Sequence, residues 1–375
     1  MCRRTDAPVL VTGCTGYIGA AVALDLLQHG YRVRGTVRSL AKFDRLLAQP
    51  AFAPYRHTSG GSGSSSSATA DPPRHFEAVV VEDLVTSDFS QAMQGGVQVV
   101  MHTASPCLMT TENVEEAVLK PAIEGTKNVV RAAIDAGSVT HIVFTSSFGS
   151  IFSFSDGAPV AHPAPRVYTE ADFNSASYED ALVSDMEGFA YAVSKSLAER
   201  AATDLVRAAP GRPIRLTSLC GTFVVGPFVH AVDDLDAFND CNARLWRIIS
   251  GQTGGVLPPW GFPVASDLHA LASAHRLAFE RNQEGRFLIS SCETFDMALI
   301  VDVARQYFPE HAHRLPKVKP SDRFIGRSDI FRTDATRSRE LLGVEYQPLE
   351  LAVRDALQRL YEAEKELSAE SAASP

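Results

Sequence analysis

An α/β fold built on a doubly wound parallel sheet, with a smaller second domain attached, is predicted for this chain from three observations. Short β-branched apolar runs alternate with longer helical patterns through the first half, as βαβ units require. A G-x-x-G-x-x-G spacing stands directly after the first run and opens the first helix-like segment. At 375 residues the chain exceeds the roughly 150 residues of one ordinary domain.

The runs can be taken in order. Candidate strands are "PVLVTG" at 8 to 13, "RVRGTVR" at 32 to 38, "AVVVEDL" at 78 to 84, "QVVMHTA" at 98 to 104, "HIVFTSS" at 141 to 147 and "IRLTSL" at 214 to 219. Helix-like segments such as "AAVALDLLQHG" and "PAIEGTKNVVRAAIDAG" lie between them, each closed by a glycine suited to a C-cap. One stretch breaks the rhythm: residues 57 to 73 are Ser/Gly-rich without apolar period, the composition of a flexible surface insertion. Beyond about residue 222 the alternation loosens, and "MALIVDVARQYF" and "LELAVRDALQRLYEAEKEL" read as amphipathic helices. The expected division is residues 1–222 for the sheet domain and 223–375 mainly for the second. A strand at 286 to 291, "RFLISS", is expected to rejoin the sheet and make the second domain discontinuous.

Composition narrows the partners. Hydrophobic residues make up 45% and charged residues 21%, the balance of a globular protein. A net charge of -9 without any Lys/Arg block argues against nucleic acid and for a small-molecule partner. The six cysteines are scattered, with neither a CxxC pair nor ligand-like Cys/His spacing, so free thiols and no metal site are expected. The N-terminus lacks an apolar run of signal-peptide length, and no stretch approaches about 20 uncharged apolar residues. These features predict a soluble cytoplasmic protein without a membrane partner, monomeric or homodimeric.

Gly13, Gly16 and Gly19 in "TGCTGYIG" sit between a strand and a helix, where backbone N–H groups can approach a pyrophosphate held on a positive helix terminus. Which dinucleotide binds depends on the end of the second strand. An acid there would hold the ribose hydroxyls, but "YRVRGTVRSLAKF" has none and offers Arg38, with Lys42 a turn later. Cations at that place match a 2'-phosphate, so NADPH is expected over NADH. Asp83, ending the third strand, has two readings: an acceptor for an adenine amino group, or a surface helix cap.

In "FAYAVSKSLAER", Tyr191 and Lys195 are four apart and share a helix face. An ammonium beside a phenol favours the phenolate and lowers a value that is ordinarily about 10. Carbonyl reduction needs a hydride and a proton for the developing alkoxide, so Tyr191 reads as the proton donor and Lys195 as its tuner. A further donor for the carbonyl oxygen is offered by Ser146 and Ser147, at the C-terminal end of the fifth strand. His102 reads as a structural histidine bonding backbone at a strand end.

The motifs "TGCTGYIG", "TVRS", "VEDL", "HTASP", "FTSSFGS" and "YAVSK" resemble those of extended short-chain dehydrogenases/reductases. "VRGTVRS" with "HTASP" is similar to the branch of dihydroflavonol reductases, cinnamoyl-CoA reductases and fungal carbonyl reductases, and the likeness runs through most of the chain. The resemblance implies a Rossmann domain, a C-terminal substrate domain and NADPH-dependent reduction of a ketone or aldehyde. It assigns the triad to Ser147, Tyr191 and Lys195, and the pyrophosphate loop to Gly13, Gly16 and Gly19 with Thr12, Tyr17 and Ile18. It places Arg38 and Lys42 at the 2'-phosphate, Asp83 and Leu84 beside the adenine, and Thr103, Ala104 and Ser105 along the ribose side. One departure is Cys220, standing where the family usually has a proline that packs the nicotinamide; another is His269–Ala270 in place of a usual Arg-Asp.

Aromatic and apolar residues expected around the substrate are Phe148, Ile151, Phe152, Phe154, Phe223, Phe228, Trp246, Trp260 and Phe262. Such walls favour an apolar aromatic or aliphatic carbonyl compound. Two other readings stay open on the sequence: an NAD-dependent sugar-nucleotide epimerase or hydroxysteroid-type dehydrogenase of the same fold, and a non-catalytic NADP(H)-sensing regulator.

Overall fold

The computed structural model describes residues 7–56, 76–154, 166–211, 213–236 and 239–373. The Ser/Gly-rich segment at 57 to 73 lies outside the described residues. Seven parallel strands form the main sheet: β1 (Val9–Thr12), β2 (Val33–Val37), β3 (Phe76–Val80), β4 (Val99–His102), β5 (His141–Ser147), β7 (Arg215–Gly221) and β10 (Gly285–Ile289). Their spatial order is β10-β7-β5-β4-β1-β2-β3. The order reverses between β1 and β4, so the crevice beyond their C-terminal ends is the natural ligand position of a doubly wound sheet.

Alternation along the strands explains the two layers. Val9 and Val11 of β1, Met101 of β4 and Val143 of β5 enter one apolar core, while their neighbours Leu10, Val100 and Ile142 enter another on the opposite face. Helices α1 (Tyr17–Gln28) and α8 (Leu268–Glu280) pack together on one side, and α4 (Lys120–Asp135) with α6 (Phe189–Ala208) on the other. Because both faces are covered, the strands read as nearly continuous apolar runs. The expected glycines do follow the helices: Gly30 after α1 and Gly137 after α4 take positive φ values of 79° and 66°.

Strand β3 begins and ends earlier than the 78 to 84 expected, because Asp83 closes a turn of its own just beyond it, accepting from the N–H groups of Val85 and Thr86. Two short parallel pairs were not foreseen. Strand β8 (Phe223–Val225) pairs with β9 (Ala265–Asp267), and β6 (Val167–Tyr168) with β11 (Arg332–Thr333). Beyond residue 222, α7 (Asp240–Ile249), α9 (Met297–Tyr307) and α10 (Leu349–Ala373) pack on one another, while β9 leads through α8 into β10 at the sheet edge. Among the described residues no helix is long and apolar enough to cross a membrane, and no group of three or more His, Cys, Asp or Glu could hold a metal ion.

Candidate active site

A cavity of about 890 Å³ opens beyond the C-terminal ends of β1, β2, β4, β5 and β7. One of its walls is the glycine loop. Gly13 has φ +67°, and a Cβ added there would lie 3.0 Å from the Cβ of Ala104, so both conformation and space require glycine. Helix α1 starts at N-cap Gly16 with no side-chain cap and no acid in its first turn. Its leading N–H groups are therefore left for an anion, and Gly16, Tyr17, Ile18 and Gly19 line the cavity beside them. The Tyr17 hydroxyl also donates to the Gly226 carbonyl at 3.0 Å, tying α1 to the loop after β8.

Thr12 stands behind this wall rather than on it. Its buried hydroxyl oxygen accepts from the N–H groups of Thr103 and Ala104 at 3.1 Å each, and lies 2.9 Å from His102 Nδ1. Thr12 thus holds the β4 exit loop, whose Thr103, Ala104 and Ser105 line the cavity. His102 bonds two threonine side chains, Thr12 and Thr126, rather than the backbone partner expected. Burial, reinforced by Lys195, holds its pKa down at about 3, so it stays neutral.

Arg38, Lys42, Asp83 and Leu84 all line the far end of the same cavity. Asp83 Oδ1 is engaged by its own turn, including the Thr86 hydroxyl at 3.0 Å, and those hydrogen bonds hold its carboxyl below the usual range. It is the cap of a turn, not of a helix.

At the other end, Ser147 and Tyr191 line the cavity together. Ser147 is the last residue of β5, and its side chain accepts from Gly149 N–H at 3.1 Å. A Cβ on Gly149 would come within 2.9 Å of Ala192 Cα, so this glycine lets α6 approach β5 closely enough for Ser147 to hydrogen-bond Tyr191. Burial and the neighbouring Cys107 push the Tyr191 phenol up, and the Ser147 hydrogen bond offsets only part of that. Lys195 does not dominate it, contrary to the sequence expectation. Its Nζ lies 5.8 Å from the Tyr191 ring centroid, behind the wall, where burial lowers its own pKa to about 8. That buried amine makes one long hydrogen bond, 3.4 Å to the Thr145 carbonyl, and so retains donor capacity.

The aromatic residues divide. Phe148, Phe152, Phe154, Phe223, Trp260 and Phe262 line the cavity; Ile151, Phe228 and Trp246 are buried core instead. Cys220 is buried in a cluster with Phe148 and Phe152 and does not reach the cavity wall, which passes to Gly221 and Thr222. His269 is largely exposed beside Asp267.

Several site residues had no sequence signal. Cys107 and Cys241 line the cavity near Tyr191. Glu187, Asp240 and Arg244 meet on its apolar side, and only the Asp240–Arg244 spacing of four hinted at pairing. Glu199 of α6 is buried, accepting from Ser146 at 2.6 Å and from Arg286 of β10 at 2.7 Å.

Comparison with known proteins agrees with this fold. The model of the 3-beta hydroxysteroid dehydrogenase/isomerase family matches residues 10–218. Ketoreductase azaE of Aspergillus niger is 32% identical over 367 residues, covering 94% of this chain and 97% of that protein. Dihydroflavonol 4-reductase of Hordeum vulgare is 34% identical over 224 residues, covering 60% of this chain and 55% of its own. The crystal structure of Gre2 from Candida albicans in complex with NADPH superposes with a TM-score of 0.78 at 30% identity, covering 95% of this chain and 99% of that one. The chain belongs to the 3-beta hydroxysteroid dehydrogenase/isomerase family, as an extended short-chain dehydrogenase/reductase of the dihydroflavonol reductase and fungal carbonyl reductase branch.

Proposed function

We propose that this protein is an NADPH-dependent reductase of ketones and aldehydes, acting on fairly apolar small carbonyl compounds. The observation that carries the reading is the single cavity joining the uncapped start of α1 and the cations Arg38 and Lys42 at one end to Ser147 and Tyr191 among aromatic walls at the other. The Candida albicans relative was solved with NADPH, and the Aspergillus niger relative is named a ketoreductase.

The residues present fit the cofactor. The first N–H groups of α1 and the small residues Gly13, Gly16 and Gly19 suit a diphosphate, with Tyr17 and Ile18 beside them and Thr12 supporting the loop from behind. Arg38 and Lys42 suit a 2'-phosphate, Asp83 and Leu84 the adenine, and Thr103, Ala104 and Ser105 the ribose side. The spare donor capacity of buried Lys195 suits a ribose hydroxyl. When bound, NADPH supplies the hydride to the carbonyl carbon. Ser147 Oγ–H orients and polarises the carbonyl oxygen, and Tyr191 delivers the proton to it as negative charge develops. Because burial holds the phenol protonated at neutral pH, Tyr191 enters the reaction as an acid.

In this reading residues 1–222, with Gly285–Ile289, form the cofactor part, and 223–375 mainly the substrate part. The protein is cytoplasmic, a monomer or homodimer, without nucleic-acid or membrane partners. A sugar-nucleotide epimerase is less well served, since Arg244, a cation beside Trp260 of the aromatic walls, is already held by two carboxylates. The test is NADPH consumption by purified protein with a panel of aromatic and aliphatic aldehydes and ketones, with NADH as comparison. Turnover favouring NADPH is expected; NADPH binding without turnover of any compound would refute the reductase reading.

A further inference from the structure

Among the described residues, a charged cluster formed by residues far apart in sequence stands at the apolar end of the cavity. Glu187 immediately precedes Gly188, the N-cap of α6, and therefore lies one turn from Tyr191. Asp240 and Arg244 lie one turn apart on α7. The Arg244 guanidinium bonds Asp240 through Nε at 2.9 Å and Glu187 through Nη2, and sits 5.8 Å from the Trp260 ring centroid. All four residues line the cavity, together with Tyr191.

We infer that Glu187, Asp240 and Arg244 form a charge filter that admits uncharged carbonyl compounds and rejects α-keto acids. The inference rests on the reductase reading and names the substrate class of that same site. One guanidinium held by two carboxylates carries a net charge of −1, so the cation is not available as a carboxylate receptor. A substrate carboxylate seated by Phe154, Trp260 and Phe262 would lose its water and face that excess negative charge. Of the two cavity thiols, Cys241 lies where Asp240 outweighs Arg244, whereas Cys107, nearer Tyr191, is governed among the neighbouring charges by Lys195. Burial pushes Cys241 up, and there Asp240 raises the value more than Arg244 lowers it. The repulsion adds to the desolvation that the apolar walls already impose on a carboxylate.

The test uses one ketone in two charge states, ethyl phenylglyoxylate and phenylglyoxylate, with the NADPH-loaded enzyme. The wild type is expected to prefer the ester in kcat/KM by about a hundredfold. Glu187→Gln should narrow that ratio by about tenfold, and Glu187→Gln with Asp240→Asn, which leaves Arg244 free, by more. Turnover of the ester in each variant reports that the protein is folded, so the ratio is read within one preparation. Equal reduction of acid and ester by the wild type, or a ratio unchanged in both variants, would overturn the filter. Quenching of Trp260 fluorescence by each compound reads binding without chemistry. If neither compound is reduced, the reductase reading fails for this substrate, while acid binding as tight as the ester, or unresponsive to the substitutions, separately overturns the filter.

Discussion

The Ser146 hydroxyl donates to the Glu199 carboxylate at 2.6 Å, so although both serines border the cavity, it is the Ser147 hydroxyl that is not committed to that carboxylate. Successive strand residues face opposite sides, so two neighbouring serines cannot share one role. Glu199 is also bound by Arg286, whose guanidinium reaches the Ser150 hydroxyl at 2.9 Å. The Ser146 hydrogen bond thus ties the strand carrying Ser147 to the helix carrying Tyr191, and the ion pair ties that helix to β10.

Exchanging the serines separates their contributions. Ser147→Ala should lower kcat about a hundredfold or more with little change in Tm, as loss of a donor to a developing oxyanion does. Ser146→Ala or Glu199→Gln should instead destabilise the fold, by about 3 kcal/mol for Glu199→Gln, because Arg286 loses its charged partner in the interior. Denaturant midpoints and steady-state rates on the same preparations check both. A kcat loss at Ser146 equal to that at Ser147 without destabilisation would reverse the assignment.

What the sequence revealed follows the range of the interactions. The glycine loop, the Ser146–Ser147 strand end and the Tyr191–Lys195 helix are local patterns, legible because strand and helix periodicities determine where their side chains go. Arg286 meets Glu199 across 87 residues and Arg244 meets Glu187 across 57, separations that no local pattern encodes. Strands β6, β8, β9 and β11 are only two or three residues long, too short to show alternation. The phenol of Tyr191 was expected to be lowered by Lys195, but burial is a tertiary quantity and it prevails.

Arg38 should decide between the two nicotinamide cofactors. Arg38→Ala is expected to raise KM for NADPH by about ten- to a hundredfold, the worth of a charge-assisted hydrogen bond, while leaving NADH nearly unaffected. Parallel steady-state titrations check it. Equal losses for both cofactors would move Arg38 from phosphate recognition to general support.

Lys195 predicts a pH limb. Burial lowers its pKa to about 8, so its ammonium is present below that pH and is lost above it. The kcat/KM for reduction should fall as pH rises through about 8, and Lys195→Arg should displace that limb upward, because a guanidinium keeps its charge. A profile identical in the two proteins would assign the limb to another group.

Four buried histidines make stability acid-sensitive. Burial lowers His102 to about 3 and His141, His230 and His275 to about 4, against an ordinary 6.5. The unfolded chain therefore takes up protons first as pH falls. Their contribution is complete above about pH 6.5 and is lost progressively toward pH 4, at about 2 kcal/mol per histidine by pH 5. Urea midpoints at pH 7.5 and pH 5 should differ accordingly, and equal midpoints would contradict neutral burial.

The central claim is that Tyr191 is the acid of a carbonyl reduction, and the most direct measurement is single-turnover NADPH oxidation by Tyr191→Phe with a carbonyl compound the wild type reduces. NADPH affinity should be retained, since the ring stays in place, while the rate falls by about a hundredfold or more. A variant that binds NADPH and oxidises it at the wild-type rate would show that the proton comes from elsewhere.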